Sequence, residues 1–512
     1  MLESRSINTL KNILYGYVGT ALTLMLSFVS RTIFINVLGN TYLGVNGLFS
    51  NILSILSFTE LGLGTALNYS LYKPVAEKDY AKVASLMHLY KISYRIIAAV
   101  ITVLGISLIP FMDIILNGTE GIENITIYYL IFLFNTVSTY FVSYKYGLLN
   151  AEQKNYVLTN INTLFKIIVT ASQITVLILY HNFLFYLLVQ SVLQLTQQIF
   201  TAVYLNKRYE HIKQYEISPV DIETKNTIKT NVRALIYHNV GSVCIYQTDN
   251  IIISSFINVT FVGLVSNYNI IIDAANRIIT MLMSSFVSSI GNFIAVEKTE
   301  KQKSLFEIYD FIGFWVFGME TILLAVLIQP FITLWIGADN KIDDATICFI
   351  VLNLFFAGQR ASVHYFKMAG GVFEQDKYAS IVQSIVNLII SVIGVIYIGL
   401  PGVFLGTLLS GFVVCVWKPI VLYNYLFHES SKQYFIRLCR RFLQVGLIIS
   451  VLLVIRLNIE GEITISYFVM LSILTFVLSN VVLYLIYRNT YELTYMQEKV
   501  KNLIERRFIS GQ

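Results

Sequence analysis

The chain has 512 residues, 56% of them hydrophobic and 13% charged, with a mean hydropathy of +0.67 and a formal net charge of +6. A soluble domain carries about a quarter charged residues, so this balance excludes an ordinary water-soluble protein and points to one embedded in lipid. The 4 cysteines, Cys244, Cys348, Cys415 and Cys439, lie in or beside apolar stretches with no CxxC pair. They predict packing residues, with no disulfide framework or metal centre.

A spanning helix needs about 20 mostly apolar residues. By that rule fourteen segments follow one another. The first six lie at about 13–38, 42–70, 92–116, 125–149, 157–180 and 183–205. Six more lie at about 232–257, 260–292, 306–329, 345–369, 379–398 and 400–424, and the last two at about 440–457 and 465–487. The first segment is too long for a cleaved signal peptide, contains Arg31 and runs on into more apolar sequence, so it reads as a retained span.

The segments repeat. Ser30 to Asn51 reads SRTIFINVLGNTYLGVNGLFSN, and Asp249 to Ile270 reads DNIIISSFINVTFVGLVSNYNI. At an offset of 219, Thr41-Tyr42-Leu43-Gly44 lies over Thr260-Phe261-Val262-Gly263, and Arg31 falls on Asn250, beside Asp249. Pro110-Phe111 matches Pro330-Phe331 at offset 220, and Glu152-Gln153 with Tyr156 matches Glu374-Gln375 with Tyr378 at offset 222. The expectation is an all-α polytopic protein of about 14 spans, built as two parallel-repeat six-helix halves, an arrangement found in transporters. The halves are 1–205 and 232–427, joined by a polar linker at 206–231 that holds Pro219. Two additional helices follow at 428–487, then a basic tail at 488–512. In the tail Lys499, Lys501, Arg506 and Arg507 alternate with Leu503, Ile504 and Phe508, which suits an interfacial helix on anionic lipid or a disordered tail.

Lys and Arg are retained on the cytoplasmic side of a membrane. One set of loops holds Lys73, Lys78, Lys82 and Lys91, then Lys207, Arg208 and Lys213, then Lys298, Lys301 and Lys303, then Lys432, Arg437, Arg440 and Arg441. The opposite loops are short and carry Asp113, Glu120, Glu123, Asp339, Asp343, Asp344, Glu460 and Glu462. Both termini are therefore expected in the cytoplasm. The basic connections 73–91 and 206–231 have amphipathic stretches that suit membrane-surface helices.

No GxxxxGK[ST], HExxH, GxSxG or Cys/His ligand cluster is present, so neither ATP hydrolysis nor a familiar hydrolytic site is expected. What remains is charge inside spans, which costs about 2.5–3.5 kcal/mol at the bilayer centre and normally faces a bundle interior or water. Arg31 lies about eight residues below the outer end of its span, roughly 12 Å deep. It suits an anion site or a structural ion pair with Asp249. Polar faces recur at helical spacing: Asn162, Lys166, Thr170, Gln173; Gln190, Gln194, Gln197, Thr201; and Asn353, Arg360, His364, Lys367. They read as walls of a wet cavity, with interhelical hydrogen bonding as the alternative; Lys367, near a helix end, can also snorkel. The acids Glu60, Asp249, Asp273 and Glu320 are candidates to bind a coupling proton or sodium ion, or are protonated carboxyls in helix contacts. Asp273 and Arg277 are four apart and can pair on their own helix. The excess of cations favours an anionic substrate, and arginine suits phosphate through its planar fork of donors.

With the phrases ELGLGTALNYSLYKP (Glu60 to Pro74) and TDNIIISSF (Thr248 to Phe256) added to the first hairpin, the chain resembles bacterial polysaccharide flippases of the Wzx type. These are members of the multidrug/oligosaccharidyl-lipid/polysaccharide superfamily, with a MATE-like fold. The resemblance covers nearly the whole chain through loose, hydropathy-dominated motifs. It implies movement of undecaprenyl-diphosphate-linked oligosaccharide from the inner to the outer leaflet of the bacterial cytoplasmic membrane by ion-coupled alternating access. It implies a cationic substrate site at Arg31, Lys166, Arg277 and Arg360, to which the polar face with Arg360 adds His364 and Lys367, and H+ or Na+ as the coupling ion. No catalytic residue, metal or cofactor is implied. The partners implied are the lipid-linked substrate, membrane lipids and polysaccharide polymerase machinery, and not nucleic acid. A related peptidoglycan lipid flippase also uses an arginine in its first span, but Ser30-Arg31-Thr32 places no acid beside this one. The alternatives are a multidrug exporter of the same superfamily, which would favour an acidic cavity, and a membrane enzyme acting on lipid-linked sugars. The external connections 117–124 and 338–344 are short for the latter.

Overall fold

A computed structural model describes the backbone of residues 2–60, 63–372, 374–376, 378–458 and 462–499. All regular structure among these residues is helical, with no strand. The basic tail beyond residue 499, with Lys501, Leu503, Ile504, Arg506, Arg507 and Phe508, lies outside the described residues, as do Glu460 and the side chain of Cys244. Contacts divide the chain into two compact units, Met1–Ser266 and Asn267–Gln512.

The first unit holds α1 (Leu2–Leu56), α2 (Leu63–Glu77), α3 (Tyr80–Ser107), α4 (Met112–Ile115), α5 (Ile125–Ser143), α6 (Tyr146–Ala151), α7 (Asn155–Tyr180), α8 (Phe183–Arg208) and α9 (Ile222–Phe256). The start of α10 (Val259–Ser284) completes it. The first two expected spans form one long element, broken at Gly39, whose φ of 80° a residue with a side chain rarely adopts. The second span does not run unbroken to residue 70, because a 3₁₀ turn at Ser57–Glu60 separates α1 from α2. The basic connection expected at 73–91 holds no helix of its own: α2 ends at Glu77 and α3 begins at Tyr80, where Asp79 accepts from the Lys82 amide at 3.0 Å. The linker holds a short 3₁₀ turn at Glu210–Gln214 and then Asp221, the N-cap of α9. There the Thr224 amide and hydroxyl, with the Lys82 ammonium, hold the Asp221 carboxyl well below the usual carboxylate range.

The second unit contains the rest of α10, α11 (Val287–Val296), α12 (Thr299–Ile336), α13 (Asp344–Ala369), α14 (Ala379–Ile398), α15 (Leu400–Leu422), α16 (Lys432–Asn458) and α17 (Ile465–Tyr487). The 38-residue α12 is its axis, and an aromatic core gathers Phe306, Phe311, Phe314, Phe317, Phe355 and Phe366. The two additional helices both pack on α12. Arg441 of α16 donates to Asp310 at 2.6 Å with both side chains buried, and its guanidinium lies 4.8 Å from the Phe314 ring centroid. Beside them Arg437 donates to Glu307 at 2.9 Å, and from α17 Asn480 accepts from the Trp315 indole at 3.1 Å.

Twelve helical stretches among the described residues are long and apolar enough to cross a membrane. The expected fourteen are not reached by this count. One stretch, Tyr15–Leu56, takes in nearly all of the first expected segment and the first part of the second, and the seventh falls in α9, which is not among the twelve. The protein is a multi-pass helical membrane protein.

The repeat offset reappears as a contact inside the first unit. The Thr41 and Thr260 hydroxyls, 219 residues apart, are 3.0 Å from each other. A Cβ on Gly44 would stand 1.9 Å from the Val259 carbonyl oxygen, and one on Gly263 would stand 2.2 Å from the Asn40 carbonyl oxygen. The contact is reciprocal, each glycine meeting a carbonyl beside the other.

Candidate functional site

Two of the polar stripes meet in the first unit. Alternate turns of α7 and α8 present Asn162, Lys166 and Gln173 from one helix and Gln190, Gln194 and Gln197 from the other to a single cavity of about 530 Å³. Asn46 and Ser50 of α1 and Thr139 of α5 line it as well. Amides staple the walls together. Gln173 donates to Gln190 at 2.9 Å, Gln197 to Asn162 at 2.7 Å, Gln194 to the Asn135 carbonyl at 3.1 Å, and Gln198 to the Ser138 hydroxyl at 3.1 Å. Among the described residues, Lys166 is the cation of this lining, it makes no ion pair, and no carboxylate lines the cavity.

Arg31 connects to this cavity through Tyr186. The Tyr186 ring lines it, with Gln173, Ser30 and the Arg31 guanidinium as neighbours of its hydroxyl. The Arg31 Nη1 donates to the Ser266 hydroxyl at 2.7 Å, which itself donates to the Gly263 carbonyl. An ion pair between Arg31 and Asp249 is not formed.

The third stripe, on α13, goes into a helix seam. Asn353 donates to the Phe404 carbonyl at 3.0 Å and Arg360 to the Gly411 carbonyl at 2.7 Å, both on α15, with the Cys415 sulfur 3.5 Å from the same Arg360 nitrogen. Lys367 is buried against Asp376 in an ion pair rather than reaching out of the membrane. His364 lies with its ring centroid 5.5 Å from that of Tyr365. Asp273 and Arg277 are electrostatic neighbours on α10 but form no ion pair.

Of the acids, Glu60 accepts from the Tyr94 hydroxyl at 2.9 Å and sits near Tyr140. Asp249 occupies a half-buried position on α9. Glu320, near the middle of α12, is buried with neither carboxyl oxygen in a hydrogen bond.

Several residues escaped the sequence reading. Lys418 of α15 lies beside Arg360 and Lys367, so three cations share one region of the second unit with Asp376. Its signal was available, a lone lysine in the apolar run GFVVCVWKPIVL. Gln198 and Asn46 also line the first unit's cavity. The Asp310–Arg441 pair was legible only as a charge at the edge of two apolar segments.

No described protein family and no curated protein matches the sequence. Solved structures do. A lipid II flippase MurJ in an inward closed conformation superposes with a TM-score of 0.62 at 15% identity, covering 93% of this chain and 99% of that one. An inward-facing multidrug resistance MATE family transporter of the MOP superfamily gives 0.57 at 16% identity, covering 77% and 93%. A Vibrio cholerae MATE transporter gives 0.53 at 13% identity, covering 83% and 100%. The protein therefore has the fold of these MOP-type membrane transporters.

Proposed function

We propose that the protein is a flippase for a lipid-linked oligosaccharide. On this reading it carries an undecaprenyl-diphosphate-linked repeat unit of a surface polysaccharide from the inner to the outer leaflet by ion-coupled alternating access. The observation that carries the reading is the lining of the first unit's cavity, which is rich in amides and hydroxyls, holds Lys166 and contains no carboxylate. Glutamine and asparagine side chains offer both donors and acceptors, which suits the mixed hydroxyls of sugars. Lys166, with Arg31 behind Tyr186, supplies positive charge for a diphosphate, and a charge-assisted hydrogen bond is about twice as strong as a neutral one. The polyprenyl tail stays in lipid, so only the polar head needs this cavity.

A cationic drug would find no counter-charge there, which separates the flippase from a multidrug exporter even though both kinds of protein share the fold. Transport in place of catalysis is the matching expectation, because the cavity holds amides where an enzyme acting on sugars would need paired acids.

The test is transfer of a fluorescent polyprenyl-diphosphate oligosaccharide across proteoliposomes. Lys166→Ala and Arg31→Ala are each expected to slow transfer at least about tenfold, a loss near 1.4 kcal/mol of substrate stabilisation, with unchanged protein yield and melting temperature. Full transfer in both variants, or efflux of cationic dyes that competes with transfer, overturns the reading.

A further inference from the structure

A second cavity of the first unit, about 580 Å³, opens where the start of α3, the α5–α6 junction, the end of α8 and the Glu210–Gln214 turn come together. His88, Lys91, Arg95, Lys145 and Lys213 line it. Its floor is apolar, with Leu148, Leu205 and Ile212. No carboxylate lines it, and among the described residues Lys91, Arg95, Lys145 and Lys213 make no ion pair. Of the acids near it, Glu152 is already engaged by Lys154 at 2.7 Å and Arg208 at 3.8 Å, and Glu216, exposed between the lining residues Tyr215 and Ile217, is not part of the lining.

Lysines that merely mark the cytoplasmic ends of spans stand apart in water. These converge. Lys145 donates to Asn206 at 2.8 Å and lies 5.7 Å from the Tyr144 ring centroid, which fixes its ammonium at the cavity wall. Burial, with the neighbouring Lys213 and Lys91, lowers the affinity of that ammonium for its proton. A concave wall of one charge sign with a low-dielectric floor concentrates potential, and an anion relieves the crowding.

We infer that this cavity binds a phosphate group, carried by an anionic lipid headgroup or by a soluble phosphorylated compound. Several ammonium donors around a phosphate match its several acceptor oxygens. A site at the basic end of membrane helices meets both sources, since basic clusters at the membrane surface attract anionic lipid.

The experiment uses the purified full-length protein in a neutral detergent. Binding of phosphatidylglycerol, phosphatidylcholine and inorganic phosphate is read by native mass spectrometry and by the shift in melting temperature. Binding of phosphatidylglycerol over phosphatidylcholine supports the site with lipid as the source, and saturable binding of inorganic phosphate supports it with a soluble source. The double substitution Lys145→Gln with Lys213→Gln is expected to weaken binding at least about tenfold, and Lys145→Arg with Lys213→Arg to retain it. Should the double glutamine variant not fold, Lys213→Gln alone, on an exposed turn, is expected to weaken binding severalfold. The inference is overturned if neither phosphate-bearing probe binds the wild type above phosphatidylcholine, or if the glutamine variants bind as tightly as the wild type.

Discussion

Glu320 is the acid whose position best suits ion coupling, and the reason is local. Both of its carboxyl oxygens are buried without a hydrogen bond near the middle of α12. A bare charge there costs several kcal/mol, and a bound proton or cation removes it. Glu60 differs, because the Tyr94 hydroxyl already satisfies one of its oxygens. Glu320→Met keeps the volume and removes the unsatisfied oxygens, so the melting temperature is expected to rise, by about 1–3 kcal/mol in stability. If Glu320 holds the coupling proton, the same variant loses the dependence of transfer on a pH gradient. Gradient-driven transfer at the wild-type rate assigns coupling elsewhere. The charge of this residue was legible in the sequence, as were the α7 and α8 stripes, because a polar residue in an apolar helix stands out at once. The partners were not legible. That Lys166 would open on amides while Arg360 would be tied to the Gly411 carbonyl depends on which helix each face meets, and helical periodicity carries no such information.

At the scale of elements, two contacts decide how helices pack. Between α1 and α10 the approach depends on Gly44 and Gly263, since a methyl group on either would run into a backbone carbonyl, which cannot move as a side chain can. Gly44→Ala and Gly263→Ala are each expected to destabilise the protein by about 1–3 kcal/mol. Gly47→Ala should be nearly neutral, because its added methyl would meet only the Val262 side chain at 3.7 Å. Equal melting temperatures for all three variants would show that the helices part without cost. The second contact joins α16 to α12. Removing one member of a buried ion pair strands the other, at about 3–5 kcal/mol, so Arg441→Leu should unfold the last helices or abolish expression. Pairing it with Asp310→Leu removes the stranded charge and should restore most of the stability, read by detergent melting curves. This seam was not legible beforehand, because Arg441 reads as one more basic residue at the edge of a span and its partner lies 131 residues away.

For the whole molecule, a succession of spanning helices was legible from hydropathy because lipid demands about 20 apolar residues per crossing, but their number was not, since twelve stretches among the described residues qualify where fourteen were expected. The breaks at Ser57–Glu60 and between α10 and α11 were not, since each falls inside a stretch that is apolar on average and holds no proline or glycine at the break. Orientation is argued from charge alone. Lys82, Lys91, Lys145 and Lys213 gather at one end of the first unit's helices, whereas Asp339, Asp343 and Asp344 sit between α12 and α13 in the second unit. Basic residues resist translocation and acids do so far less, so we propose that the lysines lie in the cytoplasm and the acidic connection outside. In a variant with all 4 native cysteines replaced, Asp339→Cys is expected to react with a membrane-impermeant maleimide on intact cells, and Lys213→Cys only after permeabilisation. Both positions are exposed, on a short turn between helices, so access and not burial decides the labelling. The reverse pattern would turn the molecule over, place the lysine-lined cavity on the outer face, and remove anionic lipid of the inner leaflet as its source of phosphate.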